Sequence, residues 1–298
     1  ARTQSGVILM GRQGPVLLQT SRRAPVLPAI SEQLNGYSKK SMKIATFNVN
    51  SLRRRLPIVL DWLARHKPDV MCLQETKVQD SDFPVAEIAD AGYHASFRGM
   101  KSYNGVATLT REKPEKVVYG LRDEPDSEDV RILQTVVVGI PIINTYVPQG
   151  QSITSEKYVS KLLWFKHLKR YFETRLDPAQ PAVWLGDINV APEPIDVYHP
   201  ERRVNDVDFH IDARNVFKEA CAWGFIDLFR MLHPQRIQYT YWDYYRRAFE
   251  NNWGWRIDHI LATAPLASRC RNIDVDLELR KTPGASDHTV VWADFADD

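Results

Sequence analysis

Lys43-Ile44-Ala45-Thr46-Phe47-Asn48 and, further on, Asp69-Val70-Met71-Cys72-Leu73-Gln74-Glu75 decide how the chain is read. Each is a short apolar run that stops on a polar side chain, the pattern of a buried strand ending in a loop. Between them Leu56, Val59, Leu60 and Leu63 recur on one helix face, and the pattern stops at His66-Lys67-Pro68, where proline ends a helix. Strand, helix, strand is a βαβ unit, and its two strands run parallel. The fold class is therefore α/β.

Outward from this unit, further strands are expected at Gly105–Thr110, Gln134–Gly139, Ile142–Tyr146, Ala182–Gly186, Ile257–Leu261 and Val290–Trp292, with helices at Thr154–Leu176 and Asp212–Trp223. No Pro- or Gly-rich linker divides them, so residues 42–298 read as one domain. Residues 1–41 show no sustained period and read as a disordered extension. They hold six Lys/Arg against one acid, a net of +5, which leaves residues 42–298 at −3 out of the total of +2. Such a basic segment is compatible with an organelle transit peptide or a DNA-binding arm. The domain itself is not broadly basic, so a polyanionic partner has to be held by a local patch or by cations.

Composition excludes several classes. Apolar residues make up 44% and charged residues 26% of 298, as in ordinary globular proteins. Polar residues and Pro141 interrupt the longest apolar stretch, around Val136 to Val147, well short of the ~18 residues of a membrane helix. Cys72, Cys221 and Cys270 have no paired spacing, which points to reduced thiols and a cytoplasm-like compartment. No glycine-rich phosphate loop appears, so nucleotide-cofactor chemistry is set aside. No Cys/His cluster has zinc spacing.

Polar residues stand at almost every expected strand end: Asn48, Glu75, Tyr146, Asp187 with Asn189, Asp258 with His259, and Asp287-His288. Taken singly, Asn48 reads as a turn cap, Asp187 as a helix cap and His288 as a core histidine. Together they form the oxygen-rich mixture that suits a hard cation such as Mg²⁺ or Mn²⁺. In extended backbone Asp187 and Asn189 face the same way and address one phosphate.

The segments Ile44–Asn50, Cys72–Lys77, Tyr103–Val106, Asn144–Pro148, Gly186–Asn189, Gly254–Asp258 and Ser286–His288 resemble, in order, the motif series of the exonuclease III family of apurinic/apyrimidinic (AP) endonucleases. The resemblance spans about residues 42–295 and implies a four-layer α/β sandwich, with two mixed β-sheets face to face and helices outside. It implies a Mg²⁺-dependent DNA-repair phosphodiesterase, acting as a monomer on double-stranded DNA with abasic sites, nicks or blocked 3′ ends. Its metal set maps onto Asn48, Glu75, Asp187, Asn189, Asp287 and His288. Its catalytic set maps onto Tyr146, Asp187, Asn189, Asp258 and His288, with Asp187 or His288 handling the water proton. Some members carry an acid where this chain has Asn50, so a second carboxylate on the metal is missing.

Arg53, within the run Arg53-Arg54-Arg55, and Arg98, Lys101, Tyr103 and Asn104 resemble DNA-phosphate contacts, and Tyr241, Trp242 and Trp255 match positions lining a pocket for an extrahelical abasic sugar. The acids of the loop Asp206–His210 suggest a weakened grip on duplex DNA. Open alternatives are a 3′-exonuclease or 3′-phosphatase with little abasic-site incision, a phosphomonoesterase on the same scaffold, and a catalytically silent DNA-binding module. A bacterial or archaeal source implies the cytoplasm.

Overall fold

The computed structural model describes residues 41–121 and 130–297, so the basic extension, apart from Ser41, lies outside the described residues. The deciding βαβ unit forms as β1 (Ser41–Asn48), α1 (Leu52–His66) and β2 (Val70–Gln74). β1 and β2 pair in parallel, Ile44 opposite Val70 through Asn48 opposite Gln74. Their near-continuous apolar character reflects burial on both faces. Val70 and Cys72 turn to one face, and Met71 and Leu73 turn to the other, towards Val59, Trp62 and Leu63 of α1.

Antiparallel strands widen this sheet on both sides. Beyond β2 come β4 (Tyr103–Thr110) and β3 (His94–Met100), and beyond β1 come β12 (Val291–Ala296) and β11 (Cys270–Val275). A second sheet repeats the scheme. β7 (Ile140–Tyr146) and β8 (Val183–Asp187) are parallel neighbours joined through α3 (Glu156–Arg175). They are flanked by β6 (Ile132–Val137) and β5 (Lys116–Tyr119) on one side and by β10 (Asp258–Thr263) and β9 (Phe225–Asp227) on the other. The shorter helices are α2 (Val85–Asp90), α4 (Ile211–Cys221), α5 (Leu228–Leu232), α6 (Ala264–Ala267) and α7 (Leu277–Lys281).

The sheets pack face to face over Ile44, Cys72, Ile142, Leu185, Ile260 and Phe295. Trp62 and Leu63 of α1 cover the outer face of the first over Phe47 and Leu73. Phe165 and Phe172 of α3, with Phe217 of α4, cover the outer face of the second over Trp184 and Ile143. This is the expected four-layer sandwich. Among the described residues no helix is long and apolar enough to cross a membrane.

Towards one end of the sandwich the apolar filling gives way to buried amides. Gln74 Nε2 donates to Thr46 Oγ1 (3.0 Å) and to Asn144 Oδ1 (2.7 Å), and Asn144 Nδ2 donates to the carbonyls of Leu73 (3.2 Å) and Ala107 (2.9 Å). Asn144 belongs to the second sheet and its partners to the first, so the bridge fixes the spacing of the sheets directly beneath the polar strand ends. Gly186 serves the same end of β8: at φ +131° a Cβ there would lie 2.0 Å from the Thr145 carbonyl, so only glycine lets the two strands meet.

Candidate active site at one end of the sandwich

Strand direction explains why residues far apart in sequence converge. β1, β2, β7 and β8 deliver Asn48, Glu75, Tyr146 and Asp187 from their C-terminal ends, whereas the antiparallel β10 and β12 run the other way and deliver Asp258 and His288 from their starts. Asp187 stands opposite Asp258 on one side and Tyr146 on the other. Each sheet supplies half of the set.

Glu75, Asp187 and His288 bring one ligand atom apiece within 4.8 Å of one another. Asn48 Nδ2 donates to Glu75 Oε1 (2.9 Å) and to Asp187 Oδ2 (2.8 Å), while Asn48 Oδ1 accepts from the Asn50 N–H (2.9 Å). Expected among the metal ligands, Asn48 is thus arranged as a donor that bridges the two carboxylates. Lys77 pairs with Glu75 Oε2 (2.8 Å) and donates to Asn50 Oδ1 (2.6 Å), and Asn50 Nδ2 donates to Asp287 Oδ1 (3.0 Å). Asp287 therefore joins the cluster through Asn50 and Lys77. Asn50, Glu75, Lys77 and Asn189 all have positive φ (40°, 49°, 52° and 52°). Such backbone persists where surrounding bonds over-determine it. Here Ser51 N–H donates to the Glu75 carbonyl (2.8 Å) and Lys77 N–H to that of Asn104 (2.9 Å).

The left-handed Asn189 also corrects the extended-backbone argument for its pairing with Asp187. β8 stops at Asp187, and the chain turns so that Asn189 N–H donates back to Asp187 Oδ1 (3.0 Å) and Asn189 Nδ2 to the Val147 carbonyl (2.9 Å).

His288 Nδ1 sits 2.9 Å from Asp258 Oδ2, and His288 Nε2 lies 3.8 Å from Asp187 Oδ2. Two hydroxyls without assigned roles in the sequence fix this pair. Thr240 Oγ1 accepts from the N–H groups of Ile257 (3.2 Å) and Asp258 (3.1 Å), and Ser286 Oγ donates to the Asn48 carbonyl (2.8 Å). Burial pulls the His288 pKa down, but Asp258, Asp187 and Asp287 prevail and push it up to about 10, which leaves an imidazolium at neutral pH. Burial, with the Asp258 and Glu75 carboxylates, pushes the Asp187 pKa well up despite His288 and the Asn48 bond. Burial first, then Glu75 and Asp187, push the Tyr146 phenol up, so it stays protonated.

An endonuclease/exonuclease/phosphatase family model matches residues 45–288, an interval that takes in this whole constellation. The exodeoxyribonuclease III of Haemophilus influenzae is 33% identical over 266 residues, covering 85% of this chain and 100% of that protein. The chain belongs to the exodeoxyribonuclease III-like AP endonuclease family. It is a DNA-repair nuclease of that type. Among solved structures, an AP endonuclease from Archaeoglobus fulgidus is similar at 48% identity and a TM-score of 0.83, with 85% of this chain and 99% of that one covered. A 3′–5′ exonuclease from Neisseria meningitidis is similar at 37% and 0.82, with 86% and 100% covered.

As placed in this AP endonuclease-type nuclease, the expected DNA contacts divide. Tyr103, at the start of β4, is 69% exposed beside Lys101 of the turn that precedes it, and Arg98 lies over the Tyr119 ring (4.8 Å). Asn104, the next residue of β4, has φ +49° and donates to the Met100 sulfur (3.4 Å). Arg53 is exposed and pairs with Asp82 (2.5 Å). Arg55, from the same run, is buried and donates to the carbonyls of Asn50, Gly284 and Ala285 and to Tyr244. Tyr241 leans on His288, ring centroids 4.8 Å apart, and bridges to Trp255. Trp242 is 1% exposed, with its indole N–H on Asn252. It is a core residue, not a pocket wall. The acids of the Asp206–His210 loop are also neutralised from within the protein, Asp206 by Arg203 (3.2 Å) and Asp208 by Lys161 (2.9 Å). That removes the reason given for a weakened DNA grip.

Proposed function

We propose that this nuclease is Mg²⁺-dependent and hydrolyses DNA phosphodiesters 5′ to abasic sites, with 3′→5′ exonuclease and 3′-phosphatase action at the same centre and Mn²⁺ as an alternative cation. The convergence of Glu75, Asp187 and His288 supports this reading most directly. Glu75, Asp187 and Asp258 set three carboxylates against the Lys77 ammonium and the His288 ring, and burial first, then Asp258 and Glu75, push the Asp187 pKa well up. A hard divalent cation fits that deficit. Glu75 would hold it with Asp187 close by, and when bound it supplies charge to polarise the scissile phosphate and ease departure of the leaving oxygen.

The chain's own groups supply the rest. His288, oriented by Asp258 and flanked by carboxylates that outweigh its burial and raise its pKa, suits donation to a phosphate oxygen better than the role of base. Asp187, with its pKa raised, accepts the proton of the attacking water. Tyr146 and Asn189 hydrogen-bond oxygens on which charge builds. Arg53, Lys101 and Tyr103 hold the DNA backbone, and Tyr241 and Trp255 line the slot for the abasic sugar. Cys72, Cys221 and Cys270 are unpaired, in keeping with the cytoplasm.

A labelled duplex with one synthetic abasic site, incubated with Mg²⁺, tests the reading. Cleavage 5′ to the site that EDTA and Asp187→Asn abolish is the expected result. Stepwise shortening from the 3′ end without incision would instead favour the activity named for the Neisseria relative, and no cleavage of either kind would overturn the proposal.

A further inference from the structure

Lys161 of α3 is 0% exposed, and its ammonium points into the ground beneath the site loops. Nζ donates to the carbonyls of Gln149 (3.1 Å), Asn189 (2.6 Å) and Val207 (3.2 Å) and to Asp208 Oδ1 (2.9 Å). These acceptors come from two connections: Gln149 from the one after β7, and Asn189, Val207 and Asp208 from the start and end of the long one between β8 and α4. The loops touch one another at the same place. Ala191 N–H donates to the Asp208 carbonyl (2.7 Å), and Asn189 Nδ2 to that of Val147 (2.9 Å). Gly150, at φ +101°, closes the first loop over the lysine: a Cβ there would come within 3.4 Å of Lys161 Cδ and 3.2 Å of Tyr158.

A buried ammonium is costly to desolvate and is retained only where acceptors surround it. An apolar side chain of the same volume would fill the space, yet it would leave the carbonyls of Gln149, Asn189 and Val207 without this donor. Asn189 is the critical one. Its carbonyl bonds Lys161, while its N–H, at the other end of the same residue, bonds Asp187 Oδ1 (3.0 Å). A shift of Asn189 therefore moves the carboxylate that faces Glu75 and His288.

We propose that Lys161 is a positioning residue for this site, the ammonium setting Asn189, and through it Asp187, while Asp208 balances the charge. The inference rests on the proposed function only where DNA cleavage is the readout. Two variants, Lys161→Met and the double variant Lys161→Met/Asp208→Asn, test it against the parent protein. Each is compared by single-turnover cleavage of the abasic duplex, by DNA affinity in EDTA and by hydrogen exchange of residues 188–191 and 206–209. Lys161→Met should lose exchange protection in both segments. Its single-turnover rate should fall about 10²-fold, the scale expected of a reacting group misplaced by about an ångström, while DNA affinity changes by less than about threefold. The double variant, with no unpaired buried charge, should recover thermal stability but not the rate. Recovery of the rate in the double variant, or unchanged loop protection in Lys161→Met, would overturn the proposal and leave Lys161 as a partner for Asp208 alone. If the parent protein cleaves no DNA, the proposed function fails while the exchange comparison still decides the role of Lys161.

Discussion

Glu75 and Asp187 are brought together by one amide group, that of Asn48, and their roles separate on burial. Glu75 is partly exposed and tied to Lys77, whereas Asp187 is enclosed between Asp258, Tyr146 and His288. We expect Glu75→Ala to lose most cleavage activity and to regain part of it as Mg²⁺ or Mn²⁺ is raised. A residual activity indifferent to cation concentration would remove Glu75 from the metal set. His288 allows a test by pH. Its folded pKa of about 10 lies above the ordinary imidazole value of about 6.5, so the stability it contributes is fully present below about pH 6.5 and drains away as pH rises towards 10. In EDTA, the thermal stability gap between the parent protein and His288→Gln should be widest near pH 6 and close by pH 10. A gap that widened with pH would mean that His288 is neutral in the folded protein.

Among the elements, the first turn of α1 shows how one run of charge divides by helical geometry. Arg53, Arg54 and Arg55 look alike in sequence, but Arg55 falls on the buried face with Leu52, Val59 and Trp62, and Arg53 points to solvent. Arg55→Ala should leave the carbonyls of Asn50, Gly284 and Ala285 without their buried donor and cost about 2–3 kcal/mol or more in urea unfolding. Arg53→Ala should change stability by less than about 0.5 kcal/mol, as surface substitutions do, and weaken DNA binding in a salt-dependent way. Equal effects of the two substitutions on stability would contradict this division.

The whole molecule matters because neither sheet contains the site alone. Asn48, Glu75 and His288 belong to one sheet and Tyr146, Asp187 and Asp258 to the other, and the Gln74–Asn144 bridge sets their separation. Asn144→Leu would take one of its two acceptors from Gln74 Nε2 and the side-chain donor from the carbonyls of Leu73 and Ala107, at about 1 kcal/mol for each buried bond lost. We expect a clear drop in the urea midpoint, with cleavage activity and near-ultraviolet circular dichroism lost together. Activity that survived loss of the tertiary signal would show that one sheet suffices.

The eight strands legible in the sequence are the interior strands of the two sheets, and the four that were not, β3, β5, β9 and β11, are their edges. An interior strand is covered on both sides and writes a continuous apolar run, whereas an edge strand such as Cys270-Arg271-Asn272-Ile273-Asp274-Val275 is half exposed and reads as a loop. The polar residues at strand ends were equally legible, because a side chain that stops an apolar run stands out against it. Their convergence belongs to the tertiary structure. Only the tertiary structure shows that Asn48 turns its amide nitrogen to the carboxylates, that Trp242 and Arg55 are buried, and that Lys161, one lysine of several in its helix, ties the loop after β7 to both ends of the loop after β8. Local sequence encodes periodicity and chain stops; which donor meets which acceptor depends on contacts between residues far apart in the chain, such as Asn50 with Asp287, 237 positions away.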